Sequence, residues 1–398
     1  SSDVCSSDLL ERYDKTQEIK LGSETGAWNV NGFTYKELII NAPTETVAGA
    51  SGHVAIRDTT FKGKTTINAG KDVEIAGQKN TAEDLTINAH SAKLPGREDA
   101  LSVTDLTLNL DGGLDLGEGT ITGAPEGSLT IGGFKDGQDI YISDTYIGDG
   151  YKISYATLNN GLVGFKGLGV STKGRVHFDE GSLTKSVQVE GQEGVAVEGA
   201  LTIAGDKTTV NVKGQKFTIA EEKSLSVSGN EANITVDASD SVTLEAKAQL
   251  QVEGNNAQLS FTGGKQVALA DGAAITIKGN GADVAVNGKE LHLGKDAKID
   301  LGNSAAGNFA LQADKVTAAE DNTTNITGKG KLALRPLTAG YALTLNNDKD
   351  NGEGLHITSD QLNGDLFDSG FTSLTLGDAK TGEVRIDGVT SDNSITVQ

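Results

Sequence analysis

Between Leu201 and Leu301 the chain repeats a single beat of an apolar residue, a polar or small residue, and a second apolar residue. The triplets are LTI at 201, VNV at 210, FTI at 217, LSV at 225, ITV at 234, VTL at 242, LQV at 250, LSF at 259, VAL at 267, ITI at 275, VAV at 284, LHL at 291 and IDL at 299. Twelve intervals cover 98 residues, about 8.2 per beat, which marks a repeat architecture. Strand side chains alternate, so the outer two residues of a triplet share a face and the middle one faces solvent. A helix is excluded, because nothing recurs at three- and four-residue spacing and Gly or Asn punctuates almost every beat.

Two architectures satisfy the beat. An antiparallel meander needs reversing turns, which Asn287-Gly288 and Asp271-Gly272 could supply. Most other breaks, such as Gly229-Asn230-Glu231 and Gly294-Lys295-Asp296, are bends rather than reversals. The pattern therefore predicts an all-β chain folded as a right-handed parallel β-helix (β-solenoid), with about three short strands per coil of roughly 24 to 25 residues. At about 4.8 Å per coil the chain would make roughly 16 coils, a rod on the order of 75 Å. Such a thin core has room mainly for Val, Ile, Leu and Ala.

A longer repeat overlies the short one. ISYATLNNGLVGFKGLGVSTKGRVHFDEGSLTKSVQV, from Ile153, aligns with ITSDQLNGDLFDSGFTSLTLGDAKTGEVRIDGVTSDNSITV, from Ile357. Both pass through Leu-Asn (Leu158, Leu362), reach Gly-Phe (Phe165, Phe371) and close on an S-apolar-x-Val strand. The expected organisation is a leader over 1–9, an irregular lead-in over 10–35, one solenoid module over 36–190 and a second, continuous with it, over 191–398. The run GFTSLTLGDAKTGEVRIDGVTSDNSITV resembles a motif of filamentous-haemagglutinin-like bacterial proteins, and TTINAGKDVEIAG and ALTIAGDKTTVNV resemble their coil repeats. The copy at Gly164 lacks the S-apolar-x-apolar-G core of that motif. The resemblance implies a large adhesin at the cell surface or secreted, often exported through an outer-membrane partner, and it carries over no catalytic residue.

Composition sharpens this picture. The chain has 52 glycines, 4 prolines, no methionine and one tryptophan, which is strand-and-turn usage. A net charge of -21 argues against a nucleic-acid groove, and no apolar run is long enough to span a membrane. The one cysteine, Cys5, lies in SSDVCSSDL, a string unlike the rest that resembles the translation of a sequencing adaptor at the end of a metagenomic reading frame. Without it the body is free of Cys and Met, which is compatible with secretion. The chain reads as an internal fragment of a longer protein, with any signal peptide upstream.

Candidate chemistry is sparse. His53, His90, His177, His292 and His356 have no second His or Cys at ligand spacing, and DKDNGEG, from Asp348, misplaces its glycine for an EF-hand loop. No metal and no cofactor is expected. IYISDTYIGDGYKISY places four of the seven tyrosines together. Alternation puts Tyr151 and Tyr155 in the core and turns Tyr141 outward, and it leaves Tyr146 open; Tyr141 and Tyr146 are thus the candidate exposed aromatic patch. The expected function is a non-catalytic, extracellular fibre that adheres or acts as a stalk. Its partners would be a receptor or glycan on a host or neighbouring cell. Alternatives are a carbohydrate-active enzyme on a parallel β-helix, or the shaft of an autotransporter or toxin-delivery passenger.

Overall fold

The computed structural model describes residues 8–11, 18–22, 25, 27–31, 34–42, 52–94, 101–302, 307–319, 325–347, 352–368, 370–391 and 394–398. Strands stack in parallel into a β-solenoid of about 14 turns. The chain divides into two compact units, Ser1–His177 with Lys185–Gln188, and Phe178–Thr184 with Val189–Gln398.

In the second unit the beat maps directly onto the coil. Both outer residues of all thirteen triplets are buried, and none of the thirteen middle residues is. Thr209–Ile219, Asn233–Leu244, Gln258–Leu269 and Asp283–Leu293 each carry two triplets and pair in parallel register, and Asn308–Ala318 continues the ladder. A register shift between Gly214 and Lys216, and again between Gly263 and Gln266, marks the corner between the two triplets. The third triplet lies in a separate parallel sheet that includes Ala200–Ala204, Ser224–Ser228, Gln249–Glu253 and Ala274–Ile277. Asn287-Gly288, which could have reversed the chain, lies inside the strand Asp283–Leu293. Surface pairs report the coil length: Lys247 reaches Glu222 at 2.7 Å and Lys278 reaches Glu253 at 2.6 Å, each 25 residues back. Exposed pairs of this kind contribute little stability.

One corner is built as two vertical columns. Gly205, Gly229 and Gly254 have φ of +143°, +118° and +141°, and Gly279 continues the series. A Cβ at Gly229, Gly254 or Gly279 would stand 2.1, 2.0 or 1.7 Å from the carbonyl oxygen of the glycine one coil earlier. Beside them the Asn230, Asn255 and Asn280 N–H groups donate to the side-chain oxygens of Asp206, Asn230 and Asn255, at 2.8, 3.0 and 3.0 Å. A strand that turns leaves N–H groups without ladder partners, and this side-chain ladder satisfies them.

The first unit departs from the expected coil length. Asn41, Asn68, Asn88 and Asn109 form an amide ladder in which each Nδ2 donates to the preceding Oδ1 at 2.7 Å, across 27, 20 and 21 residues in turn. Between Asn68 and Asn109 two successive coils are 20 and 21 residues long instead of the expected 24 to 25, and a corner there is a bulge. Asn80–Lys93 pairs with Leu101–Asp115 almost end to end, shifting register only between Ala89 and Ser91. The ladder also starts early: Ile19–Gly22, within the stretch expected to be an irregular lead-in, pairs in parallel with Val54–Arg57. Asp8–Glu11, which includes the last two residues of the adaptor-like leader, pairs with Glu37–Asn41. Cys5 lies outside the described residues.

The long repeat has a structural counterpart in each unit. Thr157–Gly161 and Gln361–Asp365 are single π-helical turns that bury Leu158 and Leu362. Each belongs to an excursion: the Lys166–Glu126 pair spans 40 residues, and the Thr372 to Gly330 bond spans 42. These excursions consume chain without adding rungs, so about 14 turns form where 16 were expected. Phe165 and Phe371 are buried, the first against Gly123 and the second against Gly328. Strands Gly167–Thr172 and Ser373–Leu376 follow, so the strand persists where the motif at Gly164 lacks its core residues. In the first unit Lys185 donates to the carbonyls of Leu158 and Leu162, and burial pushes its ammonium below the usual lysine range.

Candidate functional site

The tyrosine-rich stretch forms an aromatic stack on the first unit. Tyr141 is the middle residue of the strand Ile140–Ile142, whose outer residues are buried, so its ring projects outward. Tyr146 lies against it with ring centroids 3.7 Å apart and planes 7° apart. His177 covers the second face of Tyr141 at 4.4 Å and 10°. The loop that returns Tyr146 to Tyr141 is held by Ser143, whose Oγ accepts the N–H groups of Thr145 (3.1 Å) and Tyr146 (2.9 Å). The Tyr146 hydroxyl donates to the Asp149 carbonyl at 2.9 Å. At the tip of this loop Ile147 is 97% exposed.

A shallow polar trough of about 650 Å³ opens beside the loop, between the turn Lys135–Asp139 and the stretch Gly148–Gly150. Its carboxylates are largely engaged. Asp111 is clasped by His90 Nδ1 and Lys135 Nζ, both at 2.5 Å, while Asp136 pairs with Lys173 at 2.6 Å. Asp139 accepts the Arg175 N–H at 2.7 Å and lies 3.7 Å from His177 Nε2.

Tyr151 and Tyr155 are buried as alternation predicts, and Tyr146, which alternation left open, packs on Tyr141. The two candidate rings therefore cover one face of each other. His177 was not legible as their neighbour, although as the middle residue of a Val-His-Phe triplet it stood in an outward position. The remaining histidines are dispersed: His292 meets Thr317 Oγ1 at 2.9 Å, His356 meets Asn346 Oδ1 at 2.5 Å, and His53 pairs with Asp72 at 3.3 Å. Among the described residues no group of three or more His, Cys, Asp or Glu side chains could hold a metal. Asp348 to Asn351, the core of the EF-hand-like string, lie outside the described residues.

The Tyr151 hydroxyl is fully buried without a hydrogen-bond partner among the described residues, and burial raises its pKa above the usual tyrosine value. An unsatisfied buried hydroxyl costs about 1–3 kcal/mol. Tyr151→Phe is accordingly expected to stabilise the protein by about 1 kcal/mol in urea denaturation. The sign with pH follows from the raised value. The unfolded chain ionises first, at about pH 10, so the wild type keeps its stability below that pH and loses it above. Tyr151→Phe should lose less stability over the same alkaline range.

The geometry defines a class, that of β-solenoid repeat proteins with short corners and an aromatic cluster on one flank. Compared with known families, curated proteins and solved structures, the chain finds no match.

Proposed function

We propose that the chain is a non-catalytic section of a bacterial surface or secreted fibre of the filamentous-haemagglutinin-like kind, which acts as a stiff stalk and offers adhesive contacts on its flanks. The observation that carries this reading is the strict split of the thirteen triplets into buried outer and unburied middle positions. Such a chain spends its apolar residues on a continuous dry core and presents repeated outward columns, the geometry of spacing and multivalent presentation. The corners between Leu201 and Leu301 support it as well. The connection from Ile219 to Ser224 is four residues long, too short to wall a cleft around a glycosidic bond, where two carboxylates must face each other. The Tyr146 and Ile147 loop is the contact that a receptor or glycan would meet first.

The test is a binding assay of the labelled protein on host cells, on bacterial cells and on a glycan array, together with a polysaccharide panel assayed for new reducing ends. Saturable binding that Tyr146→Ala with Ile147→Ser weakens, without polysaccharide cleavage, is the expected outcome. Cleavage that disappears on replacing Asp139 or Asp149 would overturn it in favour of a carbohydrate-active enzyme.

A further inference from the structure

One flank of the second unit carries a trough of about 560 Å³, lined along successive rungs by Thr235, Ser260, Ala285, Ala310, Ala333 and Thr375. These residues occupy equivalent positions in consecutive paired strands, so their side chains form a column on the outer face. Charges on this flank are few and specifically placed. From Asn233 to Thr375 its outward positions hold two carboxylates, Asp237 and Asp283, and two cations, Lys331 and Arg335, in a chain whose net charge is -21. Arg335 pairs with Asp378 at 3.5 Å within the unit.

Asp283 and Lys331 sit on the same edge, one rung to either side of Asn308. Asn308 bridges them by polar contacts: its Nδ2 donates to Asp283 Oδ1 at 2.6 Å, and its Oδ1 accepts the Lys331 N–H at 3.0 Å. Their backbones stand two rung spacings apart, about 10 Å, and no ion pair joins the two side chains. Neither side chain takes an ion pair with another described residue.

We propose that this flank is a self-association surface on which the second unit of another copy of the chain packs face to face and antiparallel, about a two-fold axis at the Asn308–Ala310 rung. Rotation about an axis along the strand reverses the order of rungs and keeps each edge on its own side. Asp283 then faces Lys331 of the second copy and Lys331 faces its Asp283, forming two ion pairs from four charges that lack one among the described residues. Asn308 and Gln312 meet their own copies, where amides are self-complementary. Arg335 falls opposite Asn287, and Thr262 opposite Gly377, so no like charges meet. Ala285, Ala310 and Ala333 keep the contact flat, allowing the sheets to approach to about 10 Å. The strip is one sheet face wide, at the small end of specific interfaces, so association is expected at tens of micromolar, on the order of 10–100 µM. The inference does not depend on the adhesive reading, since it rests on this flank alone.

Sedimentation equilibrium of the full chain carrying Cys5→Ser, with circular dichroism to verify folding, tests it. A monomer–dimer equilibrium is expected in the wild type. Asp283→Lys or Lys331→Asp alone should weaken it by about 10-fold through like-charge contacts. The double variant Asp283→Lys/Lys331→Asp restores it, because the pairs re-form with exchanged sign, and Ala310→Arg abolishes it. A wild type monomeric up to about 1 mM, far above the affinity expected of such a strip, would overturn the proposal. So would a dimer indifferent to Ala310→Arg, or a double variant no tighter than the singles.

Discussion

Gly254→Val is expected to destabilise the second unit by at least about 3 kcal/mol, although glycine has no side chain whose contacts could be lost. Two effects act together. At φ +141° a β-branched residue sits where L side chains are rarely found, and its Cβ would lie 2.0 Å from the Gly229 carbonyl oxygen. The obstructing atom is backbone, so no rotamer relieves the clash. The neighbouring coil must separate, and with it the ladder in which the Asn255 N–H donates to Asn230 Oδ1. Because each coil contacts only its neighbours, the damage is to two interfaces at the centre of the stack. Gly272→Ala is the matched control. Its φ is +68° and the nearest atom is the Lys247 Cγ at 3.3 Å, the middle of a flexible exposed side chain. A cost of about 1 kcal/mol is expected there. Urea midpoints for the two variants, compared at constant m, measure the difference.

Phe261→Ala should cost about 3–5 kcal/mol, the second large effect. Phe261 is the last residue of the triplet at 259 and is 0% exposed. It stacks in register between Val236 below and Val286 above. A core this thin has no second layer to collapse into the space left by the ring, so the cavity remains. Ser260→Ala, one residue away on the outer face, should shift stability by no more than about 0.5 kcal/mol. The contrast between adjacent residues is what alternation demands, and a compact core closed from several directions would blur it. Equal costs at the two positions would contradict the assignment of faces.

Much of this architecture was legible because burial in a solenoid repeats a local pattern at every coil. Each triplet from Leu201 to Leu301 states on its own which residues go inside, and stacking only adds copies. Less legible was whatever depends on corners. The shorter coils of the first unit turn at bulges such as that between Ala89 and Ser91; Gly112-Gly113 marks that bulge on the paired strand, but a glycine pair does not state the length of the coil it closes. The glycine column at Gly205, Gly229, Gly254 and Gly279 was visible as spacing, but its cause, backbone approaching backbone, is a tertiary fact. Ile-Thr-Gly occurs at 121–123 and at 326–328, and each glycine makes room for the phenylalanine of its own Gly-Phe, a contact that only the fold reveals. At the aromatic stack, period two placed Tyr141, Tyr151 and Tyr155 correctly. It could not place Tyr146, which sits in a loop held by Ser143 where alternation has no meaning.

The central claim is that consecutive beats climb one rung at a time along a single axis within the second unit. Pulsed electron–electron spin resonance measures it directly, in a Cys5→Ser background with nitroxides at Ser182 and in turn at Thr276, Asp300 or Thr327. These are outward middle positions of one sheet, four, five and six rungs above Ser182. Backbone separations of about 19, 24 and 29 Å are predicted, rising by one strand spacing per coil. Distances that stay level or shorten from Thr276 to Thr327 would contradict the stacked coil and the fibre reading built on it.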